Sequence, residues 1–224
     1  MSTFETNGFE IFPDVLSFAE IASICRSLDG CALPRSRAGI RHALRHPAVA
    51  ESANSGPLLQ IAERISNGPA FPFRATLFDK SPASNWLVVW HQDTALPIRE
   101  RQEWPGWGPW SVKEGIVYAH APATALEQIV ALRVHLDDSR LDNGPLRVLP
   151  GTHKHGLLTD DAIHQFAERT CPAECVVPRG GVLAMRPLII HSSSKSKGVV
   201  PRRVLHIEYA RSLTMEEGLQ LAIA

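Results

Sequence analysis

Hydrophobic positions along the chain change their period near residue 71. Before it, apolar residues recur at helical spacing in two stretches, one from Pro13-Asp14 to Asp29-Gly30 and one beginning at Pro57. After it, short apolar runs bounded by turn residues are typical of strands. The predicted strands are Phe71 to Phe78, Asn85 to Gln92, Ile129 to Leu136, Leu146 to Leu149, Glu174 to Val177, Val182 to Met185 and Arg203 to Tyr209. One more helix is predicted from Thr159 to Arg169, with Thr159 as its N-cap.

This order of elements predicts one α+β domain over residues 1–224. Helices followed by many short strands favour packed layers with a mainly β core, in the form of a sandwich or barrel. The helical part covers about residues 1–70 and the β core about residues 71–211. A chain of 224 residues, 44% apolar and 21% charged, has the size and composition of a single soluble domain.

The charge balance gives no reason to expect nucleic acid or a membrane as a partner. Lys plus Arg and Asp plus Glu both number 23, so the chain carries no net field. No apolar run approaches the ~18 residues of a membrane span, and the first residues lack the basic start of a signal peptide. The four cysteines fit no zinc spacing, so reduced structural thiols are expected. We therefore expect a cytoplasmic protein, whose oligomeric state the sequence leaves open.

Three short motifs place a histidine two residues before a carboxylate. They are His91-Gln92-Asp93, His135-Leu136-Asp137 and His206-Ile207-Glu208. Residues two apart share one face of a strand, so each pair could hold a metal ion or could consist of polar residues at a strand end. The second motif lies close to the turn Asp142-Asn143-Gly144, which favours a turn-capping role for its carboxylate.

A later histidine separates the first motif from the others. A mononuclear iron(II) oxygenase needs two histidines and one carboxylate on one side of the metal, which leaves three positions open. The motif at Glu208 has no histidine after it, whereas His91 and Asp93 have a suitable partner in His191, at the end of an apolar run. The pattern predicts an iron(II) site at these three residues.

An arginine eleven residues after His191 suits the second half of such a site. If the co-substrate is 2-oxoglutarate, its oxo-acid end chelates iron and its distal carboxylate needs a bidentate partner, for which a planar guanidinium is suited. Arg202 begins the last predicted strand. The strand period of two places Arg202 on the more polar face and Arg203 on the more apolar one, so Arg202 is expected to point into the barrel.

Four segments then carry a resemblance to a known family. They are "WHQD", "LRVHLDDSRLDNGPLRVLPGTHKHG", "GGVLAMRPLIIHSSS" and "RRVLHIEYA". In this order they resemble the phytanoyl-CoA dioxygenase family of iron(II)/2-oxoglutarate oxygenases, from about Phe73 to Ala210. The resemblance implies a double-stranded β-helix (a jelly-roll or cupin-like core) with flanking N-terminal helices. One departure is Lys195-Ser196-Lys197, where many members have an asparagine between the distal histidine and the arginine.

The resemblance also implies Fe(II), 2-oxoglutarate and O2 as cofactor and co-substrates. Arg202 would bind the distal carboxylate of 2-oxoglutarate, and Ser193 falls where a hydroxyl often helps to hold it. Arg133 aligns with a position that sometimes lines the co-substrate pocket. The implied iron ligands are His91, Asp93 and His191.

The activity implied by the resemblance is hydroxylation of a small organic molecule, with decarboxylation of 2-oxoglutarate to succinate. Two alternatives stay open: a non-catalytic metal- or ligand-binding module, and an iron-dependent halogenase. Halogenases of this kind lose the carboxylate ligand, whereas Asp93 is present. The family name implies an acyl-CoA substrate, but the sequence offers no strong basic patch for CoA phosphates, so the substrate is left open.

The segment from Thr94 to His120 is rich in Pro, Gly and Trp. Its 27 residues exceed the ~12–15 expected of a structureless connection. We therefore expect a mobile lid over the iron, in which Trp104, Trp107 and Trp110 face the substrate rather than a core.

Four further histidines have less definite roles. His153 and His155 are expected to be solvated in a loop, although their spacing resembles a metal pair. His120 and His135 are expected either to line a substrate pocket or to be satisfied core residues.

Overall fold

Three antiparallel sheets and six α-helices make up the part of the chain that the computed structural model describes, residues 3–36, 38–215 and 218–224. The helices are α1 (Thr3–Asn7), α2 (Phe18–Asp29), α3 (Pro47–Asn54), α4 (Gly56–Ser66), α5 (Ala123–Leu126) and α6 (Asp160–Arg169). The strands are β1 (Phe9–Phe12), β2 (Arg35–Ser36), β3 (Gly39–Ile40), β4 (Phe71–Lys80), β5 (Val88–His91), β6 (Ala95–Ile98), β7 (Trp110–Lys113), β8 (Ile116–His120), β9 (Ile129–His135), β10 (Leu146–Val148), β11 (Ala173–Cys175), β12 (Val182–Met185), β13 (His191–Ser193) and β14 (Arg202–Ala210). Short 3-10 helices occur at Ala43–Arg45 and Thr152–His155.

Two of the sheets form the predicted double-stranded β-helix. The larger has the strand order β1-β12-β9-β14-β4-β3-β2, and the smaller has the order β11-β10-β13-β5. Every strand pair is antiparallel, and the order of each sheet is far from the chain order, so long connections cross between the sheets. Each predicted strand is present, but β1, β2, β3 and the short β13 were not predicted.

The N-terminal helices cover the outer face of the larger sheet. Apolar residues of α2, α3 and α4 share one buried cluster with residues of β4, β9, β12 and β14, among them Leu205, Ile207 and Tyr209. The first predicted helix begins later than expected, at Phe18, because Ser17 caps it and forms a reciprocal capping box with Glu20. The alternation in β14 therefore has the predicted sense: its apolar side meets the helices and its polar side faces the barrel interior.

The segment from Thr94 to His120 is not the structureless lid that its length suggested. It contains β6, β7 and β8, which form a third sheet in the order β6-β8-β7. Trp104, Trp107 and Trp110 pack against a buried cluster that includes Leu96 of β6, so the assignment of these rings to the substrate side was wrong. The length argument failed because it assumed a connection without secondary structure of its own.

Two expectations from composition can be compared with the described residues. All four cysteines, which lie in this part of the chain, are free thiols. Within the same part of the chain, every helix is too short or too polar to span a bilayer.

Amide hydrogen exchange should show whether the Thr94–His120 segment is an ordered sheet or a mobile lid. Amides of β8 should exchange slowly in the metal-free, ligand-free protein, because this strand pairs with β6 on one side and β7 on the other. The loop of residues 99–109 serves as the internal comparison and should exchange faster. Exchange of β8 as fast as that loop before ligands are added would restore the mobile-lid interpretation.

Candidate metal centre

His91 and His191 lie directly opposite each other on neighbouring strands of the smaller sheet. β5 pairs antiparallel with β13, and His91 is the register partner of His191, with ring centroids 4.2 Å apart. The Nε2 atoms lie 3.7 Å (His91) and 3.5 Å (His191) from the two carboxylate oxygens of Asp93. The ligand atoms of all three residues fall within 4.8 Å of one another, as a single metal ion requires.

A β-bulge turns His91 into the barrel. The register between β5 and β13 shifts between the His91–His191 pair and the Val88–Ser193 pair, so two residues of β5 face one residue of β13. Simple alternation would place Val88 and His91 on opposite faces, yet both line the same cavity. His91 therefore faces the same cavity as Val88 because of the bulge, whereas regular alternation would direct it to the opposite face.

Asp93 lies just beyond the end of β5 and is held there by its neighbours. Its backbone N–H donates to the carbonyl of Pro187 (3.0 Å). The intervening Gln92 is buried, and its amide donates to the carbonyls of Leu188 (2.7 Å) and Gly156 (2.9 Å) while it accepts from the Leu158 N–H (2.9 Å). His91 and Asp93 lie on one side of the chain, as their spacing of two predicts, but β5 ends at His91. Gln92, which sequence reasoning missed, anchors the chain beyond the strand.

The two histidines are oriented as metal ligands. Nδ1 of His91 lies 2.8 Å from the carbonyl oxygen of Val89, and Nδ1 of His191 lies 2.9 Å from that of Ile189. A carbonyl only accepts, so each Nδ1 carries the proton and each Nε2 presents a lone pair to the centre of the cluster. The residues present therefore fit a divalent metal, with two neutral imidazoles and one carboxylate on one side of it.

Local electrostatics keep Asp93 and His191 in their metal-binding forms, whereas in His91 burial, which would lower the pKa, is outweighed by Asp93, so this pKa is raised. Burial would raise the pKa of Asp93, but His191 and His91 outweigh it and hold this pKa well below its usual range. Burial lowers the pKa of His191 to about 4, despite the opposing effect of Asp93. The side chains of His91 and Asp93 remain 36% and 29% exposed, against 4% for His191, so the cluster is reached from one side.

The cavity next to this cluster contains every other predicted site residue. It has a volume of about 160 Å³ and is lined by all six residues assigned from the sequence. Arg202 donates from Nε to the Asn143 carbonyl (3.3 Å) and from Nη2 to the Ser193 hydroxyl (3.5 Å). Arg133 donates to Nδ1 of His206 (3.1 Å). The structure thus brings Arg202, Ser193 and Arg133 together beside the three candidate iron ligands.

The adjacent arginines of β14 occupy opposite faces. Arg202 is buried in the cavity, where burial and the charge of Arg133 lower its pKa to about 9. Arg203 lies on the other face and forms a bidentate pair with Asp137 (Nε 2.9 Å, Nη2 3.0 Å), which also accepts from the Arg203 backbone N–H. Asp137 is therefore not in the metal cluster, as expected, but its role is to pair with Arg203 rather than to cap a turn.

Lys80 is a cavity residue that sequence reasoning missed. It ends β4 with only 1% of its surface exposed, and its ammonium donates to the Ser193 hydroxyl (2.9 Å) and the Ser194 carbonyl (2.7 Å). Burial, followed by the charges of Arg202 and Arg133, lowers its pKa to about 7. The period of two in β4 could have placed it beside the inward Arg74, Thr76 and Phe78, but the sequence alone gave no reason to prefer that face.

The third motif, His206-Ile207-Glu208, also reaches the interior. Atoms of Asp93, His206 and Glu208 come within 4.8 Å of one another, which satisfies the distance requirement for a second metal group. However, Arg74 pairs with both oxygens of Glu208, and Nη2 of Arg74 lies 2.5 Å from Oε1. A carboxylate neutralised by a buried guanidinium is a poor metal ligand. This motif therefore lines the wall of the first site and does not form a second metal site.

The remaining histidines lie outside the cluster. His135 is fully buried, and burial holds its pKa well below the usual value, so it is a core residue. It is not the satisfied one expected, because neither ring nitrogen has a hydrogen-bond partner among the described residues. His120 is exposed and its Nδ1 lies 2.7 Å from the Thr94 hydroxyl. His155 is exposed beside Phe166, and burial of the half-buried His153 lowers its pKa.

The sequence of this chain is similar to those of known oxygenases. The sequence model of the phytanoyl-CoA dioxygenase family matches residues 4–204. L-proline trans-4-hydroxylase of Streptomyces griseoviridis is 27% identical over 180 residues, which cover 69% of this chain and 59% of that protein. The match therefore spans about three fifths of the relative's length.

Solved structures with the same fold include two of known ligand chemistry. EctD from S. alaskensis, solved with 2-oxoglutarate and 5-hydroxyectoine, superposes with a TM-score of 0.68 at 17% identity, over 93% of this chain and 73% of that one. The non-heme alpha ketoglutarate dependent carbocyclase SnoK gives a TM-score of 0.68 at 14% identity, over 93% and 81% of the two chains. At such identities the likeness shows the fold, and the predicted double-stranded β-helix is confirmed.

Removal of either histidine should abolish metal binding. We expect His91→Ala and His191→Ala to retain far less than one metal per chain, because each deletes one of three ligands. Elemental analysis after loading with Fe(II), and with zinc as a redox-inert substitute, measures this. Asp137→Asn is the matched control, since that carboxylate belongs to a second His-x-Asp motif outside the cluster. Stoichiometric metal in both histidine variants would rule out the assignment.

The buried Lys80 should make stability depend on pH. The folded state releases the Lys80 proton near pH 7, whereas the unfolded chain holds it to about pH 10. Between these values the unfolded state binds more protons, so the stability of the wild type should rise with pH relative to Lys80→Met. Denaturant unfolding of both proteins at about pH 6 and pH 9 tests this; a difference that does not change with pH would contradict it.

Proposed function

The chain belongs to the phytanoyl-CoA dioxygenase family, and we propose that it hydroxylates a small organic molecule with Fe(II), 2-oxoglutarate and O2. The family predicted from the sequence is thereby confirmed. One observation carries the proposal: two Nε2 atoms and one carboxylate converge beside a cavity that is also lined by the buried basic side chains of Arg202, Arg133 and Lys80. A metal would bind to the three ligand residues, and the distal carboxylate of a dicarboxylic oxo acid in the cavity would pair with the basic side chains.

His91, Asp93 and His191 would hold the iron. As ligands on one side of the metal they leave the other positions for an oxo acid and O2. When bound, Fe(II) supplies the redox chemistry that couples reduction of O2 and decarboxylation of 2-oxoglutarate to succinate and CO2 with hydroxylation of a C–H bond. The backbone carbonyls at Val89 and Ile189 hold the two imidazoles in the ligand tautomer, so the site is organised before the metal binds.

Arg202 and Ser193 would fix the distal carboxylate of 2-oxoglutarate. The guanidinium is held from Nε by the Asn143 carbonyl, and the Ser193 hydroxyl donates to the carbonyl of Gly144 (2.9 Å). Both accepting carbonyls belong to the turn Asp142-Asn143-Gly144, which therefore orients these two side chains. Arg133, buried beside His206, would add positive charge to the same compartment.

The substrate would be a small molecule that approaches from the exposed side of His91 and Asp93. The cavity of about 160 Å³ is smaller than the ~300–1,000 Å³ of typical ligand pockets, so the co-substrate would fill it. The wall beside Asp93 carries the Arg74–Glu208 ion pair and is polar. A compact polar substrate suits that wall better than a long acyl chain, and L-proline, the substrate named for the relative, is the first compound to try.

Succinate formation tests the activity. Protein loaded with Fe(II) should convert 2-oxoglutarate to succinate slowly without substrate and faster when the correct small molecule is added. Omission of Fe(II) or of O2 should remove both rates. Absence of succinate under all conditions, in protein that carries one metal per chain, would favour a non-catalytic binding module.

Adjacent arginines provide a matched pair for the co-substrate site. We expect Arg202→Ala to raise the apparent Michaelis constant for 2-oxoglutarate at least tenfold, which corresponds to about 1.4 kcal/mol or more of lost charge-assisted binding. Arg203→Ala should leave that constant nearly unchanged and lower the stability, since it breaks the pair with Asp137. Initial rates against 2-oxoglutarate concentration give both constants, and a large effect at Arg203 instead would reverse the assignment.

A further inference from the structure

Two cations face each other across neighbouring strands inside the barrel. Lys80 of β4 is the register partner of Arg202 of β14, and both side chains are buried in the same cavity. Like charges directly opposite in a sheet destabilise it, and burial removes the water that would screen them. A third buried cation, Arg133, lines the same space. A bound anion would offset the repulsion among these three buried cations.

The cations find no carboxylate in the part of the chain that the structure describes. The ammonium of Lys80 contacts the Ser193 hydroxyl, the Ser194 carbonyl and, at 5.2 Å, the ring of Trp86, all of them neutral. Arg202 and Arg133 likewise donate only to neutral atoms. The two carboxylates on the cavity side are already engaged, Asp93 by the two histidines and Glu208 by Arg74.

The Ser193 hydroxyl shows where the missing anion would sit. It donates its proton to the Gly144 carbonyl (2.9 Å) and accepts from both Lys80 (2.9 Å) and Arg202 (3.5 Å). The two cationic groups thus converge on one hydroxyl inside the cavity. A carboxylate placed there could accept from both.

We propose that Lys80 is a second cationic ligand for the distal carboxylate of 2-oxoglutarate and selects dicarboxylic over monocarboxylic 2-oxo acids. The inference rests on the proposed function and adds to it a specificity residue that lies outside the four segments that carry the family resemblance. Arg202 supplies the directional pair of donors, whereas the ammonium of Lys80 supplies a point charge on the opposite strand. The anion in turn offsets the repulsion between them.

Direct binding of two 2-oxo acids tests the role of Lys80 without turnover. Zinc-loaded protein is titrated calorimetrically with 2-oxoglutarate and with 2-oxovalerate, which has the same chain length but a methyl group in place of the distal carboxylate. Lys80→Met should weaken 2-oxoglutarate at least tenfold and change 2-oxovalerate by less than twofold. Lys80→Arg keeps the charge and should fall between wild type and Lys80→Met. Lys154→Met removes an exposed lysine and should behave as wild type.

The outcomes separate the two proposals. Unchanged 2-oxoglutarate affinity in Lys80→Met, or an equal loss for both oxo acids, would overturn the role of Lys80 while leaving the proposed function intact. Failure of the zinc-loaded wild type to bind either oxo acid would overturn both. Thermal unfolding accompanies the titrations, and Lys80→Met should be at least as stable as wild type without ligand, because an apolar side chain replaces a repelled buried cation. A cooperative melt thus shows that weaker binding does not reflect misfolding.

Discussion

Burial of charge between the two sheets is the constraint on which the site depends. Asp93, Glu208, Lys80, Arg133 and Arg202 all project into the barrel, where each would be costly without a partner. Arg74 neutralises Glu208 within the protein, and the two histidines bracket Asp93. The remaining imbalance, a group of metal-ligand atoms and three buried cations without a carboxylate partner among the described residues, matches a divalent metal and a dianionic oxo acid. The apolar contacts of α2, α3 and α4 with the outer face of the larger sheet stabilise the fold that carries this cost.

Much of this arrangement could be predicted because successive side chains of a strand point to opposite faces of the sheet, so the spacing between two residues tells whether they share a face. In β14 the alternation separates Arg202 from Arg203, and the structure shows one in the cavity and the other paired with Asp137. The choice of His191 as partner for the first His-x-Asp motif rested on its position after an apolar run, and the antiparallel pairing of β5 with β13 brings it opposite His91. The motif at residues 206–208 was set aside as a primary metal site; Arg74 pairs with its carboxylate, and its proximity to Asp93 was not foreseen.

The features that sequence analysis missed depend on contacts between residues that are distant in the sequence. The bulge in β5 reverses strand parity between Val88 and His91, so alternation along the preceding apolar run does not predict that His91 faces the cavity. Gln92 and Lys80 are ordinary polar residues in the sequence and gain their roles only from carbonyls and cations supplied by distant segments. The third sheet escaped prediction because its strands are only four or five residues long and are separated by segments that contain Pro or Gly.

A crystal structure of the protein grown without O2, with Fe(II) and 2-oxoglutarate, tests the central claim most directly. The account predicts iron bound by Nε2 of His91, Nε2 of His191 and a carboxylate oxygen of Asp93. It places the distal carboxylate of 2-oxoglutarate within hydrogen-bonding distance of Arg202, Ser193 and Lys80. Iron at any other ligand set, or a distal carboxylate directed away from these cations, would contradict it.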